Sequence, residues 1–263
     1  MKKRTAVMAT LVSLIPFGQS LVIGTGAALT SAGIILSVPE KVLAETEDFY
    51  FNRAYKKAES GDHYGAISDY NKAIENNPSD LEAYYNRGWS KAKIGDYYGA
   101  ISDYDKVIEL NPKYGDAYLN RGVSKRKSGD SYGAISDYNK AIKLNPNLGD
   151  AYNNRGNAKG DLKDYSGAIS DFIKAIEINP KDAIAYYNSG IVKGRDLKDY
   201  YGAISDFNKA IELNPKYENA LANRGLAKEG IGDMKGACAD WRKASELGDE
   251  DSGKWVRNDC DIY

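Results

Sequence analysis

A pattern repeated every 34 or 35 residues constrains this chain more than any other feature of its sequence. The tetrapeptide Ala-Ile-Ser-Asp, followed by Tyr or Phe, recurs five times, and a degenerate sixth copy follows. The six copies begin at Ala66, Ala100, Ala134, Ala168, Ala203 and Ala237. A fixed period of this length is typical of proteins built from stacked units, because each unit is too small to bury its apolar face alone.

Residues 81–114 represent one such unit, and their sequence predicts two helices. Apolar residues spaced three and four apart predict a first helix at about 81–93 and a second at about 97–110. Gly95-Asp96 separates them, because glycine tolerates the left-handed backbone that ends a helix and aspartate can cap the next one. Pro112 ends the second helix, since proline disfavours helical angles in the residue before it.

Five positions of this unit resemble the signature of the tetratricopeptide repeat family: Tyr84, Gly88, Ala100, Tyr104 and Pro112. Two further units carry the same pattern, at Tyr118, Gly122, Ala134, Tyr138 and Pro146, and at Tyr152, Gly156, Ala168, Phe172 and Pro180. The resemblance covers about residues 47–249 and implies an all-α, right-handed α-solenoid of six helix-turn-helix repeats. The terminal repeats depart from the signature, with Ala54 in place of glycine and Asp249 in place of proline, as terminal repeats commonly do.

The chain therefore divides into three parts. Residues 1–44 precede the repeats, residues 45–248 contain them, and residues 249–263 are predicted to form a capping helix that hides the last apolar face. The repeats are 47–80, 81–114, 115–148, 149–182, 183–217 and 218–250. The fifth repeat is one residue longer, and we expect the extra residue at the inter-helix turn near Arg195, where an insertion is tolerated.

Residues 1–44 have the composition of a targeting segment. Lys2-Lys3-Arg4 precedes a run of 35 uncharged residues, and Val42-Leu43-Ala44 offers small residues where a signal peptidase reads. One interpretation is an export signal cleaved before Glu45. The alternative is an uncleaved anchor within residues 5–38, because residues 20–38 approach the ~20 residues that span a bilayer. Both place the repeats in the periplasm or on the lumen side of a thylakoid, and the sequence resembles exported repeat proteins of cyanobacteria.

Charge and residue types exclude several classes of function. The chain has 36 basic and 37 acidic side chains, and the first 44 residues carry +3, so the remainder carries −4. This balance lacks the basic surface that nucleic-acid binding needs. The single histidine, His63, has no partner set for catalysis, and neither a metal-ligand cluster nor a phosphate-binding glycine loop can be assembled. We therefore expect no enzyme activity, no cofactor and no metal.

The two cysteines, Cys238 and Cys260, lie in the sixth repeat and near the end of the chain. In an exported protein a lone pair of cysteines favours a disulfide, which would attach the capping helix to the sixth repeat. The alternative is two reduced thiols.

Charged residues and glycines recur at fixed positions. Arginine precedes the signature glycine slot at Arg53, Arg87, Arg121, Arg155 and Arg224, and each second helix carries an aspartate, at Asp69, Asp103, Asp137, Asp171, Asp206 and Asp240. Antiparallel helices could pair the two in every repeat except the fifth, which has Ser189. Lysine recurs at Lys57, Lys91, Lys125, Lys159, Lys193 and Lys228, either covering apolar surface or forming an anion-binding row. Glycine recurs in the first turn of each second helix, and close helix approach is one explanation.

The resemblance also implies a concave groove lined by the first helices. The Tyr85 slot holds Phe51, Tyr85, Leu119, Asn153, Tyr187 and Ala222; the Asn86 slot holds Asn52, Asn86, Asn120, Asn154, Asn188 and Asn223; the Trp89 slot holds Tyr55, Trp89, Val123, Asn157, Ile191 and Leu226. A row of amides could hold the backbone of an extended peptide, and exposed rings are typical of binding surfaces. The expected partner-binding residues are Phe51, Asn52, Tyr55, Tyr85, Asn86, Trp89, Leu119, Asn120, Val123, Asn154, Tyr187, Asn188 and Ile191.

The sequence thus predicts a non-catalytic scaffold or adaptor that binds a peptide or protein partner in this groove. The alternative is a membrane-anchored structural protein that associates with itself through its repeat ends. An intact hydrophobic N-terminus and concentration-dependent oligomers would favour the alternative.

Overall fold

The computed structural model describes residues 47–260 and the backbone of two short strands, β1 (Leu29–Thr30) and β2 (Gly33–Ile34), which pair antiparallel. Apart from these strands, the predicted export signal or anchor lies outside the described residues, as do residues 261–263. Among the helices that the structure describes, none combines the length and the apolar character needed to cross a membrane.

Thirteen α-helices occupy the described range 47–260. They are α1 (Glu47–Glu59), α2 (His63–Asn76), α3 (Leu81–Lys93), α4 (Tyr97–Leu110), α5 (Gly115–Lys127), α6 (Ser131–Leu144), α7 (Gly149–Asp161), α8 (Tyr165–Ile178), α9 (Ala183–Ile191), α10 (Tyr200–Leu213), α11 (Glu218–Gly230), α12 (Met234–Glu246) and α13 (Glu250–Asp259). A π-helix, Val192–Asp196, follows α9. The fold class is all-α, a helical-repeat solenoid, as the sequence predicts.

The described helices fall into two compact units, and the boundary lies within α5, after Ala117. In the first unit, each helix from α1 to α4 packs against the next one along the chain. In the second unit, the same holds from α6 to α13. Within both units, therefore, each described helix buries its apolar stripe against its neighbours in sequence, as expected for stacked repeats.

The helix ends of the second repeat follow the predicted local signals. Helices α3 and α4 have the bounds expected from the sequence. Gly95 adopts a left-handed φ of 83°, and the Asp96 carboxylate accepts a hydrogen bond of 2.9 Å from the Gly99 N–H. A Cβ added to Gly99 would lie 2.1 Å from an Asp96 carboxylate oxygen. The recurring glycine thus makes room for the cap carboxylate, and this explanation replaces close helix approach.

In the second to sixth repeats, the signature glycine of the first helix lies against the aromatic residue of the second helix. A Cβ on Gly156 would come within 2.7 Å of the Phe172 ring, and one on Gly122 within 2.6 Å of Tyr138. The rings at this second-helix position are buried in all six repeats: Tyr70, Tyr104, Tyr138, Phe172, Phe207 and Trp241. Each repeat is therefore centred on one ring that only a small residue opposite can accommodate.

The extra residue of the fifth repeat lies at the end of the first helix, and the expectation of an insertion in the turn is wrong. Residues Val192–Asp196 form a π-helix, in which the Leu197 N–H donates to the Val192 carbonyl at 3.0 Å. This wider turn absorbs one residue inside the helix. Phe207 consequently keeps its buried position against Gly190, as the matching rings do in the other repeats.

The C-terminal residues cap the second unit. Trp255 and Val256 of α13 pack against the cluster that contains Trp241 and Cys238, and the Trp241 and Trp255 ring centroids are 5.3 Å apart. The structure joins Cys238 to Cys260 by a disulfide, with a Cα–Cα distance of 5.6 Å. The bond attaches the end of the capping helix to α12.

We expect this disulfide to stabilise the cap. It closes a loop with a sequence separation of 22 residues, and loops of this size contribute roughly 3 kcal/mol by chain entropy. Replacing both cysteines by serine should lower the free energy of unfolding of the α11–α13 region by about that amount, as measured by hydrogen exchange. Thiol labelling of the denatured, unreduced protein should find no free cysteine, and two labelled thiols would contradict the prediction.

Candidate partner-binding surface

An ion-pair ladder connects the two helices within the repeats. In the second repeat, Arg87 donates to both carboxylate oxygens of Asp103 at 2.9 and 2.6 Å. The Lys91 ammonium lies 2.9 Å from the same carboxylate. The same three-residue cluster occurs at Arg53, Lys57 and Asp69, at Arg121, Lys125 and Asp137, at Arg155, Lys159 and Asp171, and at Arg224, Lys228 and Asp240. The recurring lysine is therefore a ladder member, and it does not form an anion-binding row.

In the first repeat, the ladder lowers the pKa of its carboxylate. Burial alone would raise the pKa of Asp69, but hydrogen bonds from Arg53 and Lys57 outweigh it and hold that pKa below its usual value. In the fifth repeat, the Ser189 hydroxyl and the Lys193 ammonium each contact Asp206 at 2.6 Å. Because these carboxylates are already engaged by cations of the same repeat, they are poorly suited to act as general acids or bases.

The Tyr85 slot lies in the core, so its assignment to the groove is wrong for two of the expected residues. Phe51 is fully buried and meets the Tyr70 ring edge-on at 5.6 Å. Tyr85 is buried between Tyr104 and Tyr114, whose ring centroids lie 5.8 and 5.3 Å away. These rings fill space between helices and are not available to a partner.

The sequence contains a signal for the burial of the Tyr85 slot, in the residues that follow the signature proline of a repeat. Tyr114 and Tyr217 follow their prolines by two residues, in the second and fifth repeats, which are the repeats with tyrosine in the Tyr85 slot. Tyr187 packs between Phe207 and Tyr217 at 5.9 and 4.9 Å, as Tyr85 does between its partners. The paired occurrence of these tyrosines indicates mutual packing. Tyr187 remains half-buried, and so does Leu119, which packs beside Tyr138 and Ala158.

The Asn86 slot does not form a free row of amides. Asn86 itself is fully buried and cannot reach a partner. The amide nitrogen of Asn52 donates to the Asp48 carbonyl at 2.8 Å, and that of Asn188 to the Asn153 side chain at 3.0 Å. The half-buried members of the slot are Asn52, Asn120, Asn154, Asn188 and Asn223. The slot therefore contributes partly to helix packing, and only its half-buried members can also contact a peptide.

The Trp89 slot is the part of the expected groove that stays accessible. All six of its residues are at least partly exposed: Tyr55, Trp89, Val123, Asn157, Ile191 and Leu226. The Trp89 ring is positioned by two contacts. His63 meets it edge-on at 5.4 Å, and the Lys93 ammonium lies 4.9 Å from its centroid. Five of the six side chains are aromatic or apolar, although folding leaves them in contact with water. In each unit, therefore, this slot offers surface that a partner could bury.

Sequence comparisons identify the repeats independently. Two family profiles, both described as tetratricopeptide repeat, match residues 81–114, 115–148 and 149–182, and residues 47–80 and 183–217. Together they cover more than half of the chain. No curated protein matches the chain.

Solved structures with the same fold include MamA, which is 30% identical over 63% of this chain and 96% of its own, with a TM-score of 0.56. YrrB, described as a TPR protein with an unusual peptide-binding site, is 23% identical, with coverage of 72% and 97% and a TM-score of 0.55. A tetratricopeptide repeat protein from Parabacteroides merdae is 19% identical, with coverage of 83% and 85% and a TM-score of 0.67. At these identities the last two show the fold alone.

Proposed function

The chain belongs to the tetratricopeptide repeat family, and on this premise we propose that it is a non-catalytic scaffold that binds a peptide or protein partner outside the cytoplasm. The observation that carries the proposal is the Trp89 slot, where aromatic and apolar side chains stay partly exposed in both compact units. Contiguous exposed apolar surface beside polar groups is typical of interaction sites. The pairing of the ladder carboxylates supports a non-catalytic role.

Trp89 is expected to anchor the partner. Trp89→Ala should weaken binding of the partner captured from the native host by about thirtyfold, because large rings at the centre of an interface carry about 2 kcal/mol each. Helical content, measured by circular dichroism, should not change, since the ring lies at the edge of its cluster. The dissociation constant of the captured protein for both forms is the measurement.

Tyr98→Ala provides a matched control for this variant. Tyr98 is an exposed ring on α4, outside the Trp89 slot, so its removal should leave binding unchanged. If Trp89→Ala unfolds several degrees earlier and still binds with wild-type affinity, Trp89 serves the core alone and the proposed surface is wrong.

The location outside the cytoplasm rests on residues 1–44. Their basic start, uncharged run and Val42-Leu43-Ala44 support an export signal. N-terminal sequencing of the protein from its native host should give Glu45 as the first residue. Recovery of the full-length chain in the membrane fraction would instead indicate the anchor.

A further inference from the structure

The first helix of the fifth repeat ends differently from that of the fourth. The fourth repeat reads Lys159-Gly160-Asp161-Leu162-Lys163, and the fifth reads Lys193-Gly194-Arg195-Asp196-Leu197-Lys198. The comparison identifies Arg195 as the inserted residue, and it lies inside the π-helix. Single π-turns within α-helices often accompany functional sites. The insertion also gives the fifth repeat a charge that the fourth does not have at this point.

A second set of hydrogen bonds, which joins neighbouring repeats, is also interrupted at the fifth repeat. In the second, fourth and sixth repeats, the arginine also donates to an asparagine of the preceding repeat: Arg87 to Asn71, Arg155 to Asn139 and Arg224 to Asn208, at 2.8, 2.5 and 2.7 Å. In the fifth repeat Ser189 replaces the arginine, and Ile173 occupies the asparagine position with its side chain exposed. Because both partners of this hydrogen bond are replaced, the fifth repeat lacks the link to the preceding repeat that the second, fourth and sixth repeats have.

A cavity of about 380 Å³ opens beside the π-helix, within the second unit. Its apolar lining comes from Ile191, Phe207, Leu226 and Ala227. Ile191 and Leu226 belong to the Trp89 slot, so the cavity opens on the surface proposed to bind the partner. The Tyr200 ring lies against Gly230, where a Cβ would come within 2.8 Å, and it closes one wall. The volume is within the range that can receive a single large side chain.

The rim of the cavity is basic, although residues 45–263 as a whole carry a charge of −4. Its charged lining residues are Arg195, Lys198 and Glu229, so their net charge is +1. The Arg195 side chain is 71% exposed, and its only ion pair within the described residues is with the adjacent Asp196, at 3.0 Å. Lys198 makes no ion pair within residues 47–260 and is held by a left-handed backbone, with φ of 58°. Because Arg195 itself is exposed, its ion pair with Asp196 is weak and the guanidinium can exchange partners.

We propose that this cavity receives an apolar side chain of the partner peptide, while Arg195 and Lys198 bind an acidic residue next to it. The inference rests on the proposed peptide-binding function, and it specifies the partner as a peptide with an acidic residue next to an apolar one. An apolar lining supplies the affinity, and the basic rim selects a neighbouring carboxylate, to which an arginine can form two hydrogen bonds.

The experiment is a selection of peptides from a random displayed library on the full-length chain, with counter-selection on a variant that lacks Arg195. Deletion of Arg195 gives the fifth repeat the same spacing as the fourth, which folds with that spacing in the same chain. The selected peptides should carry Asp or Glu within two residues of Leu, Ile, Met or Phe. Their affinity should fall at least tenfold in Arg195→Gln and in Lys198→Gln. It should not change in Lys163→Gln, which alters the corresponding left-handed lysine of the fourth repeat.

Three outcomes would overturn the inference. If the selected peptides bind the wild type and all variants equally, the cavity is not their binding site, and the peptide-binding function stands. Selected peptides that are basic or lack an apolar residue would contradict the assigned chemistry, again without affecting the function. Failure of the wild-type chain to select any peptide would overturn the inference, and the proposed function would then stand only for a folded protein partner, as tested with Trp89→Ala.

Discussion

Replacing Asp103 by asparagine is expected to lower the free energy of unfolding by about 3 to 5 kcal/mol, because it leaves two cations without their buried counter-charge. The Asp103 side chain is 3% exposed, and Arg87 and Lys91 both reach it. The Arg87 and Lys91 side chains are themselves mostly buried, so water cannot replace the lost carboxylate. Urea unfolding followed by circular dichroism measures the change. Hydrogen exchange of the α3 and α4 amides would locate it, since repeats unfold with nearest-neighbour coupling.

Asp206→Asn is the matched control for this prediction. Asp206 occupies the same position in the fifth repeat, but it is more exposed, at 14%, and faces only Ser189 and Lys193. Its replacement should lower the free energy of unfolding by about 1 to 2 kcal/mol. A triple replacement of Arg87, Lys91 and Asp103 by Met, Met and Leu should recover most of the loss, because it removes all three charges together. If Asp103→Asn lowers stability no more than Asp206→Asn, the ladder sets helix register and contributes little stability.

Raising the pH from 9 to 11 is expected to lower the free energy of unfolding by about 4 kcal/mol, through three buried tyrosines. Burial raises the pKa of Tyr70, Tyr104 and Tyr138 well above the usual 10.0. The folded state therefore keeps protons that the unfolded chain releases above pH 10. The stability is fully present below pH 10 and is lost as the pH rises towards the folded-state pKa, at roughly 1.4 kcal/mol per tyrosine over this range.

Two phenylalanine substitutions separate this effect from general alkaline denaturation. Tyr138→Phe is structurally tolerable, because Phe172 and Phe207 stand at the same position in other repeats. It removes one buried hydroxyl, which has no hydrogen-bond partner in the described structure, and should reduce the pH-dependent loss by about 1.4 kcal/mol. Tyr132→Phe alters a ring that is 76% exposed, so the pH dependence should not change. If urea titrations at pH 9 and pH 11 give Tyr138→Phe and the wild type the same loss of stability, the buried ring ionises without unfolding.

The sequence by itself determined the features that arise within one repeat. The bounds of α3 and α4 follow from Gly95, the Asp96 cap and Pro112, because caps and breakers act through the backbone of adjacent residues. The pairing of Arg87 with Asp103 follows from the antiparallel arrangement of two helices in one repeat. The capping helix and the proximity of Cys260 to Cys238 follow from the need to cover the last apolar face.

Only the tertiary structure decided which first-helix residues reach solvent, because that depends on contacts with the neighbouring helices. Tyr85 and Trp89 are separated by four residues on one helix face, yet Tyr85 is buried by Tyr104 and Tyr114 while Trp89 stays half-exposed. The same dependence makes Lys91 part of the ion-pair ladder, since its long side chain reaches Asp103 on the next helix. The structure likewise places the inserted Arg195 in a π-helix, because the ring of Phe207 must keep its contact with Gly190. A repeat pattern specifies the packing partners that every unit shares, whereas exposure at a single slot depends on the side chains that adjacent repeats supply.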